Sequence, residues 1–556
     1  MRPCTAPDEL LFVPLGGAGE IGMNLNLYGY GPKDHETWVM VDLGVTFSDG
    51  SLPGVNVILP DPTFIEERRE QLAGLVLTHA HEDHIGAVQY LWPKLRCPIY
   101  ATSFTLSVLR RKLAETDFTD QIEIIEVPLS GTFEIGPFMM KLITLTHSIP
   151  EPNAIAITTP VGTVMHTGDW KFDPDPVIGP AAEEDTLRRF GDEGVLAIVC
   201  DSTNVFSPGE SGSEAEIHDN LSKLVAECKG RVAVACFATN VARLETISRV
   251  AAENGRDVVL AGRSLWRIND AARENGYLSE IPAFLMEEDA GYLPHDKVLI
   301  ICTGSQGEPR AALSRIAADD HPRVTMGSGD VVIFSSRIIP GNEPAISKLQ
   351  DKLVRRGIKV ITAKDHKIHV SGHPARDELT RMYQHVRPRI SVPVHGELRH
   401  LVEHAELARQ CQVPEAFVIE NGTVLRLGPA TPGIIDHVPA GRLVADGSRI
   451  VPADGETIKS RIRTMWNGFS VVTVALNGEG LKGEPQISTT GLFEDENNES
   501  LDDVRLAVRK ALAKLSSTEL KDDKLVHETA RIAARRALHL AVGKRPVIRV
   551  HLVRLS

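Results

Sequence analysis

Over the first two hundred residues the chain alternates short apolar runs with polar turns. The runs "LFVPL", "LNLYGY", "TWVMVDLG", "LAGLVLTH", "CPIYAT", "IEIIEV", "FMMKLITLTH", "NAIAITT", "GTVMHTGD" and "VLAIVCD" read as strands. Few long helical patterns separate them, so this region predicts sheets packed face to face with helices outside. Near Glu214 the period changes. "SEAEIHDNLSKLVAECKG" has apolar residues at helical spacing and precedes the strand-like "RVAVACFAT". Helix and strand then alternate through "NVARLETISRVAAENG", "RDVVLAG", "KVLIICTG", "GDVVIFSS", "AISKLQDKLVRRG" and "IKVIT". That alternation predicts a mostly parallel sheet in a second domain, residues 208–363. Strands and histidines return in "HVSGHPARDELTRMYQHVRPRISVPVHG". The second domain therefore reads as an insertion into a first domain made of residues 1–207 and 364–430. Residues 431–454, rich in Pro and Gly, read as a linker. Residues 455–556 read as a small α+β domain: a strand, the acidic turn "EDENNES", helical stretches Leu501–Leu515 and Lys521–Val542, and a last strand.

One glycine motif needs separating from that pattern. Gly17 to Gly22 spell "GAGEIG" after a strand-like run, and Asp42 lies twenty residues beyond. A dinucleotide fingerprint has this spelling, but it must open a helix so that the pyrophosphate meets the helix N-terminus. Here the motif opens "MNLNLYGYG", which alternates like a strand. It reads as a strand-to-strand turn.

Composition narrows the class. The chain has 556 residues, enough for several domains. No apolar run approaches the ~18–20 residues of a membrane span, and the N-terminus lacks a charged-then-apolar signal pattern. The seven cysteines are odd in number and form no C-x-x-C pair, which points to a reducing cytoplasm rather than a disulfide framework. Net charge is −14, yet from Val451 onward 17 basic residues face 14 acidic ones. A nucleic-acid partner would therefore need a local basic channel or a bound metal.

The strongest chemical signal is "LTHAHEDHIG", Leu77 to Gly86, which directly follows an apolar strand. His79 and His81 are two apart and project to one side of an extended chain. Asp83 and His84 follow on the turn. Imidazole and carboxylate suit zinc and its first-row relatives, so one strand end could feed two metals.

H-x-H-x-D-H is the signature of the metallo-β-lactamase superfamily, which this chain resembles. The rest of that pattern is found in "TLTHSIPE" (His147), "MHTGDWKFD" (Asp169) and "VPVHGE" (His395). The resemblance implies an αββα sandwich. It places His79, His81 and His147 on one metal, Asp83, His84 and His395 on the other, and Asp169 between them. His166 reads as a core or supporting residue. The inserted domain, with Asp201 in "VCDSTN" and His373 in "VSGHP", looks like the β-CASP nucleases. "PLGGAGEIGMN", "TGSQGEP", "FSSRIIPGNE" and the extra C-terminal domain look like the bacterial ribonuclease J family.

That resemblance implies a cytoplasmic two-metal ribonuclease of RNA maturation and decay. It would digest RNA 5′ to 3′ from monophosphate ends, with endonuclease activity besides. The metals would be zinc first, with manganese or magnesium as alternatives, and would activate water and neutralise phosphate charge. Asp83 would hold or deprotonate that water. His373 would stabilise the developing charge or protonate the leaving oxygen, oriented by Asp201. Ser305, Ser335, Ser336, Arg337, Ser371 and His373 are candidates to bind substrate phosphate, and Phe47 to stack on a base. Single-stranded RNA, a homodimer or higher homo-oligomer, and RNA-decay proteins are the implied partners, with no membrane. The competing readings are a β-CASP nuclease for DNA or mRNA 3′ ends, and a small-molecule hydrolase of a lactone, ester or thioester.

Overall fold

The computed structural model describes residues 8–339, 341–477, 480–494 and 500–555. Cys4 and most of the acidic turn "EDENNES" lie outside them. The chain forms two compact units: residues up to Asp49 together with Val57–Arg442, and Gly50–Asn56 together with residues from Leu443 onward.

All ten runs read as strands form strands. They build two sheets in the first unit. The eight-stranded sheet runs in the order Gly433–His437, Thr423–Gly428, Glu9–Gly16, Leu25–Gly31, Thr37–Val41, Leu72–Val76, Ile99–Ala101, Ile124–Glu126. The seven-stranded sheet runs Thr132–Ile135, Phe138–Thr144, Asn153–Thr159, Gly162–His166, Ala197–Asp201, Ile390–Val394, Glu415–Ala416. One core lies between the sheets. Phe12, Tyr28, Val41 and Val76 of the first meet Phe138, Leu142, Ile155, Ile157 and Val199 of the second. The intervening residues Ala154, Ala156, Met165 and Ile198 point the other way, under Leu379, Met382 and Leu407 of helices Arg376–Val386 and Leu398–Gln410. Side chains alternate faces along a strand, so a strand covered on both faces must be apolar throughout. That is why these strands are continuous apolar runs. Phe138 is fully buried between the sheets. Phe138→Ala is expected to remove about 3–5 kcal/mol of unfolding free energy, to be checked by urea denaturation.

The inserted region holds a five-stranded, wholly parallel sheet in the order Asp257–Ala261, Val298–Cys302, Val232–Ala235, Val331–Phe334, Lys359–Thr362. Helices Ala215–Ala226, Val241–Glu253, Arg263–Glu274, Ala312–Ala317 and Glu343–Arg355 alternate with its strands. The fold is thus a metallo-β-lactamase sandwich with an inserted β-CASP domain and a C-terminal α+β domain. In the last of these, Phe469–Asn477 is central. It pairs antiparallel with Gly480–Leu481 and Gln486–Thr490, and parallel with Val547–Arg554. Helices Ser500–Leu512 and Asp523–Val542 bury Val504, Val508, Ala530 and Leu538 in its core.

The stretch 431–454, read as a linker, contains strands. Gly433–His437 is an edge strand paired with Thr423–Gly428, and Arg442–Asp446 forms a hairpin with Arg449–Pro452. Backbone pairing orders this stretch despite its prolines, which stand between or at the ends of the strands. Among the described residues, no helix is long and apolar enough to cross a membrane.

Candidate metal centre

The topology brings distant carboxyl ends of strands together. Gly162–His166, Ala197–Asp201 and Ile390–Val394 are adjacent and parallel. Asp169, Asp201 and His395 therefore sit at neighbouring carboxyl ends. In the facing sheet Thr37–Val41 and Leu72–Val76 are also parallel, which places Asp42 beside the start of "THAHEDH". Short helix Glu82–Ile85 then turns Asp83 and His84 back toward the sheet.

Two groups of donors result. Ligand-type atoms of His79, His81, His147 and Asp169 lie within 4.8 Å of one another, and so do those of Asp83, His84, Asp169 and His395. Asp169 belongs to both. A third such group joins Asp169, Asp201, His373 and His395. His166 is in none of them. It is buried, with its Nδ1 2.8 Å from the Tyr28 hydroxyl.

The hydrogen bonds on the far side of each ring show what the near side offers. His147 donates from Nδ1 to the Gly372 carbonyl. His395 donates from Nδ1 to Asn24 Oδ1 at 3.0 Å. His84 Nδ1 is 2.7 Å from Asp42 Oδ2, and His79 Nδ1 is 3.0 Å from Thr78 Oγ1, itself bonded to Asp42. The opposite nitrogens converge. His81 Nδ1 is 3.0 Å from both His79 Nε2 and His147 Nε2. Burial, reinforced by neighbouring imidazoles, holds His79 and His147 well below the ordinary histidine value. Burial also takes His81 down to about 4, against the pull of Asp83 and Asp169. Three neutral rings thus aim lone pairs at one point, which a cation satisfies. His395 Nε2 is buried and has no hydrogen-bond partner among the described residues. At His84, burial is outweighed by Asp169, Asp42 and Asp83, which raise it well above its ordinary value. Burial would raise Asp169, but His395, His84 and His373 hold it well below the usual carboxylate range. The second group therefore calls for positive charge. The donor set fits a divalent metal site.

His373 stands beside these groups. Its Nδ1 is 2.8 Å from Asp201 Oδ2 and 3.8 Å from Asp169 Oδ2. Burial lowers it, but Asp201 and then Asp169 prevail and raise it to about 9.

The candidate substrate residues divide. Ser371 Oγ accepts from Asn204 Nδ2 at 2.7 Å, and Arg337 donates to Asn204 Oδ1 at 2.5 Å. Asn204 also donates to the His373 carbonyl at 3.1 Å. Ser336 accepts a long 3.4 Å bond from Gln306. Ser305 Oγ is buried with no partner among the described residues. Phe47 is 62% exposed, at the end of a strand entered from the Val45 backbone that bonds Glu82. Ser335 differs from the others in having its hydroxyl engaged on both sides. Its hydroxyl donates to the Ile368 carbonyl at 2.6 Å and accepts from Arg243 at 2.5 Å.

Several residues at the site escaped the reading of motifs. Asn24 and Asp42 both follow the glycine turn in sequence, and they orient His395 and His84. Asp42 (φ 64°) and His395 (φ 53°) both hold left-handed backbone, rare outside glycine and common where geometry is enforced. Gly372 has no room for a side chain: a Cβ would lie 2.6 Å from the His147 ring. Asn204 stood in view in "DSTN". His369 has a Nδ1 without a partner among the described residues. Burial, then the charges of Arg243, Arg337 and Lys171, hold it well below its ordinary value.

Similarity to known proteins accords with this geometry. The chain is 44% identical over 551 residues to the ribonuclease J of Sinorhizobium meliloti, covering 99% of this chain and 98% of that protein. The chain belongs to the ribonuclease J family. Ribonuclease J of Mycolicibacterium smegmatis is 38% identical, covering 95% of this chain and 94% of its own. Family models match in order: metallo-β-lactamase superfamily at 30–199, ribonuclease J β-CASP domain at 229–353, Zn-dependent metallo-hydrolase RNA specificity domain at 357–414, and ribonuclease J C-terminal domain at 456–555. A crystal structure of a protein of unknown function from Enterococcus faecalis shares the fold. Its TM-score is 0.52 at 17% identity, covering 75% of this chain and all of that one. As a member of the ribonuclease J family, the chain is a metal-dependent ribonuclease.

Proposed function

We propose that the protein degrades single-stranded RNA from the 5′ end, one nucleotide at a time, preferring a 5′ monophosphate, and that it also cuts internally. One observation carries this reading. The Asn204 amide joins Arg337 and Ser371 to the backbone of His373, the residue beside the metal centre. Cationic and hydroxyl side chains suited to a terminal phosphate are thereby held near the cleavage site. Ser305 and Ser336, in the glycine turn "TGSQGE" and the facing strand end, extend the set. His369, whose buried Nδ1 has no hydrogen-bond partner among the described residues, adds a polar group. Phe47 is free to stack on a base.

The residues that would hold two divalent ions are His79, His81 and His147 on one side, Asp83, His84 and His395 on the other, and Asp169 between. Such ions, zinc foremost given the imidazole-rich donors, supply nucleophilic water at neutral pH and neutralise phosphate charge. Asp83, with a 30% exposed carboxylate against 2% for Asp169, faces the substrate side and takes the proton of the attacking water. Asp201 fixes the Nδ1 proton of His373, which leaves Nε2–H to protonate the departing ribose oxygen.

The domain division 1–207 with 364–430, 208–363 and 455–556 belongs to the same reading. So does a reducing cytoplasm, supported by six free thiols among the described residues. A homodimer or higher assembly is supported by the exposed Trp466 and Leu540 of the second unit.

Two substitutions test the assignment of roles. His373→Ala is expected to lower single-turnover cleavage by about 100- to 10,000-fold with metal content unchanged. Near-wild-type turnover with metals bound would remove His373 from the chemistry. Ser305→Ala is expected to erode discrimination between 5′-monophosphate and 5′-triphosphate RNA by about tenfold, as for loss of one charge-assisted hydrogen bond. Intact discrimination would put the pocket elsewhere.

A further inference from the structure

We propose that Arg243 is a positioning residue that fixes how far the terminal-phosphate pocket stands from the metal centre, and so sets the one-nucleotide step. The proposal rests on the end-directed reading above. Arg243 lies in the first turn of helix Val241–Glu253 and is fully buried. Its guanidinium grips the Glu214 carboxylate through Nε and Nη2 at 3.0–3.2 Å. Its Nη1 donates to the Ser335 carbonyl at 2.8 Å, the Ser335 hydroxyl at 2.5 Å and the Ile368 carbonyl at 3.2 Å. Ser335 immediately precedes Ser336 and Arg337. Ile368 immediately precedes His369 and lies three residues before Ser371. Both segments of the pocket, 335–337 and 368–371, are thus tied to one side chain.

The tie continues toward the metals. The Glu214 amide donates to Asp173 Oδ2 at 3.0 Å, and Asp173 pairs with the fully buried Lys171 at 2.9 Å. The Asp173 amide donates to Thr146 Oγ1 at 2.9 Å, and that hydroxyl donates to the Lys171 carbonyl at 2.7 Å. Thr146 adjoins His147, and Lys171 follows Asp169 by two. Two buried ion pairs in series therefore link the pocket to two donors of the metal centre. Buried ion pairs seldom add stability over apolar packing, because desolvation offsets their attraction. What this pair of pairs does provide is direction. A bidentate fork and saturated donors hold one geometry. A purely stabilising role would lower every activity together, through the folded fraction. A ruler would change which bond is cut.

The test compares full-length, metal-loaded wild type with Arg243→Lys and Ser335→Ala. Lysine keeps the charge opposite Glu214 but cannot span Glu214, Ser335 and Ile368 together. Ser335→Ala leaves Arg243 in place but removes one of its acceptors and the hydroxyl's own bond to the Ile368 carbonyl. Each protein is given one RNA with a 5′ monophosphate or a 5′ triphosphate. The readouts are kcat/KM for each RNA, the size of the first product, and metal content. Arg243→Lys is expected to lose about 100-fold in kcat/KM on the monophosphate RNA, the scale of an ångström's misplacement. Its kcat/KM on the triphosphate RNA and its metal content are expected to stay at wild-type values, and its first products to become mixed in length. Ser335→Ala is expected to move the same way by less. An unchanged ratio and uniform mononucleotides in both variants, or an equal fall on both RNAs, would overturn the proposal. If Arg243→Lys does not fold, an unchanged ratio in Ser335→Ala overturns it. A wild type indifferent to the 5′ phosphate would instead overturn the end-directed reading, and this proposal with it.

Discussion

Asp169→Asn is expected to lower RNA cleavage by more than about 1,000-fold, beyond the ~100- to 1,000-fold typical for one stabilising group. Asp169 is the member common to all three donor groups, and its carboxylate lies 3.2 Å from His84, 3.6 Å from His395 and 3.9 Å from His79. Asparagine preserves the shape and removes the charge. The rings of His79, His81 and His147 would still converge, but without the anion that balances a divalent ion. The loss should appear as a fall in bound metal together with activity, measured on the same preparation by elemental analysis and single-turnover cleavage. Full metal content with full activity would show that Asp169 is not shared.

Gly44→Ala is expected to be nearly as damaging, though Gly44 carries no chemistry. A Cβ there would lie 1.7 Å from the Asp83 carbonyl oxygen and 2.6 Å from the His84 amide. The obstacle is backbone, which no rotamer change relieves. Flanking hydrogen bonds, Leu43 to His84 at 2.7 Å and Val45 to Glu82 at 3.0 Å, clamp the two segments together. The methyl must therefore shift the helical turn that carries Asp83 and His84 relative to Asp169 and His395. We expect about a 100-fold loss of cleavage and about 1–3 kcal/mol of destabilisation from overpacking, read by kinetics and denaturant melts. Wild-type activity would mean that the turn tolerates displacement.

The sandwich was legible because its strands are buried on both faces, as Ile155 and Ile157 against Ala154 and Ala156 show. Such strands are apolar runs that local pattern detects. Helix Val88–Leu95 was hidden because Pro93 stands inside it. The strand Gly433–His437 was hidden for the opposite reason: at a sheet edge, with Ile434 and Ile435 exposed, it shows no alternation. The donors at 79–84 were legible because four of them are local. Asn24 and Asp42 were not, because they reach His84 from 60 and 42 residues away. In the sequence Asp42 stands out only through the nucleotide-like spelling of the glycine turn, which opens a strand rather than a helix. Ser335 shows the limit most clearly. A serine at a strand end looks alike whether its hydroxyl faces a ligand or, as here, an arginine 92 residues earlier.

The most direct test of the central claim is a time course on one RNA bearing either a 5′ monophosphate or a 5′ triphosphate, beside DNA of the same sequence. Metal-replete wild type is used, with His81→Ala as the control. Mononucleotides released from the monophosphorylated RNA far ahead of the other two substrates, and absent with His81→Ala, is the predicted result. Internal cuts at equal rates whatever the 5′ end, or cleavage of DNA alone, would contradict it.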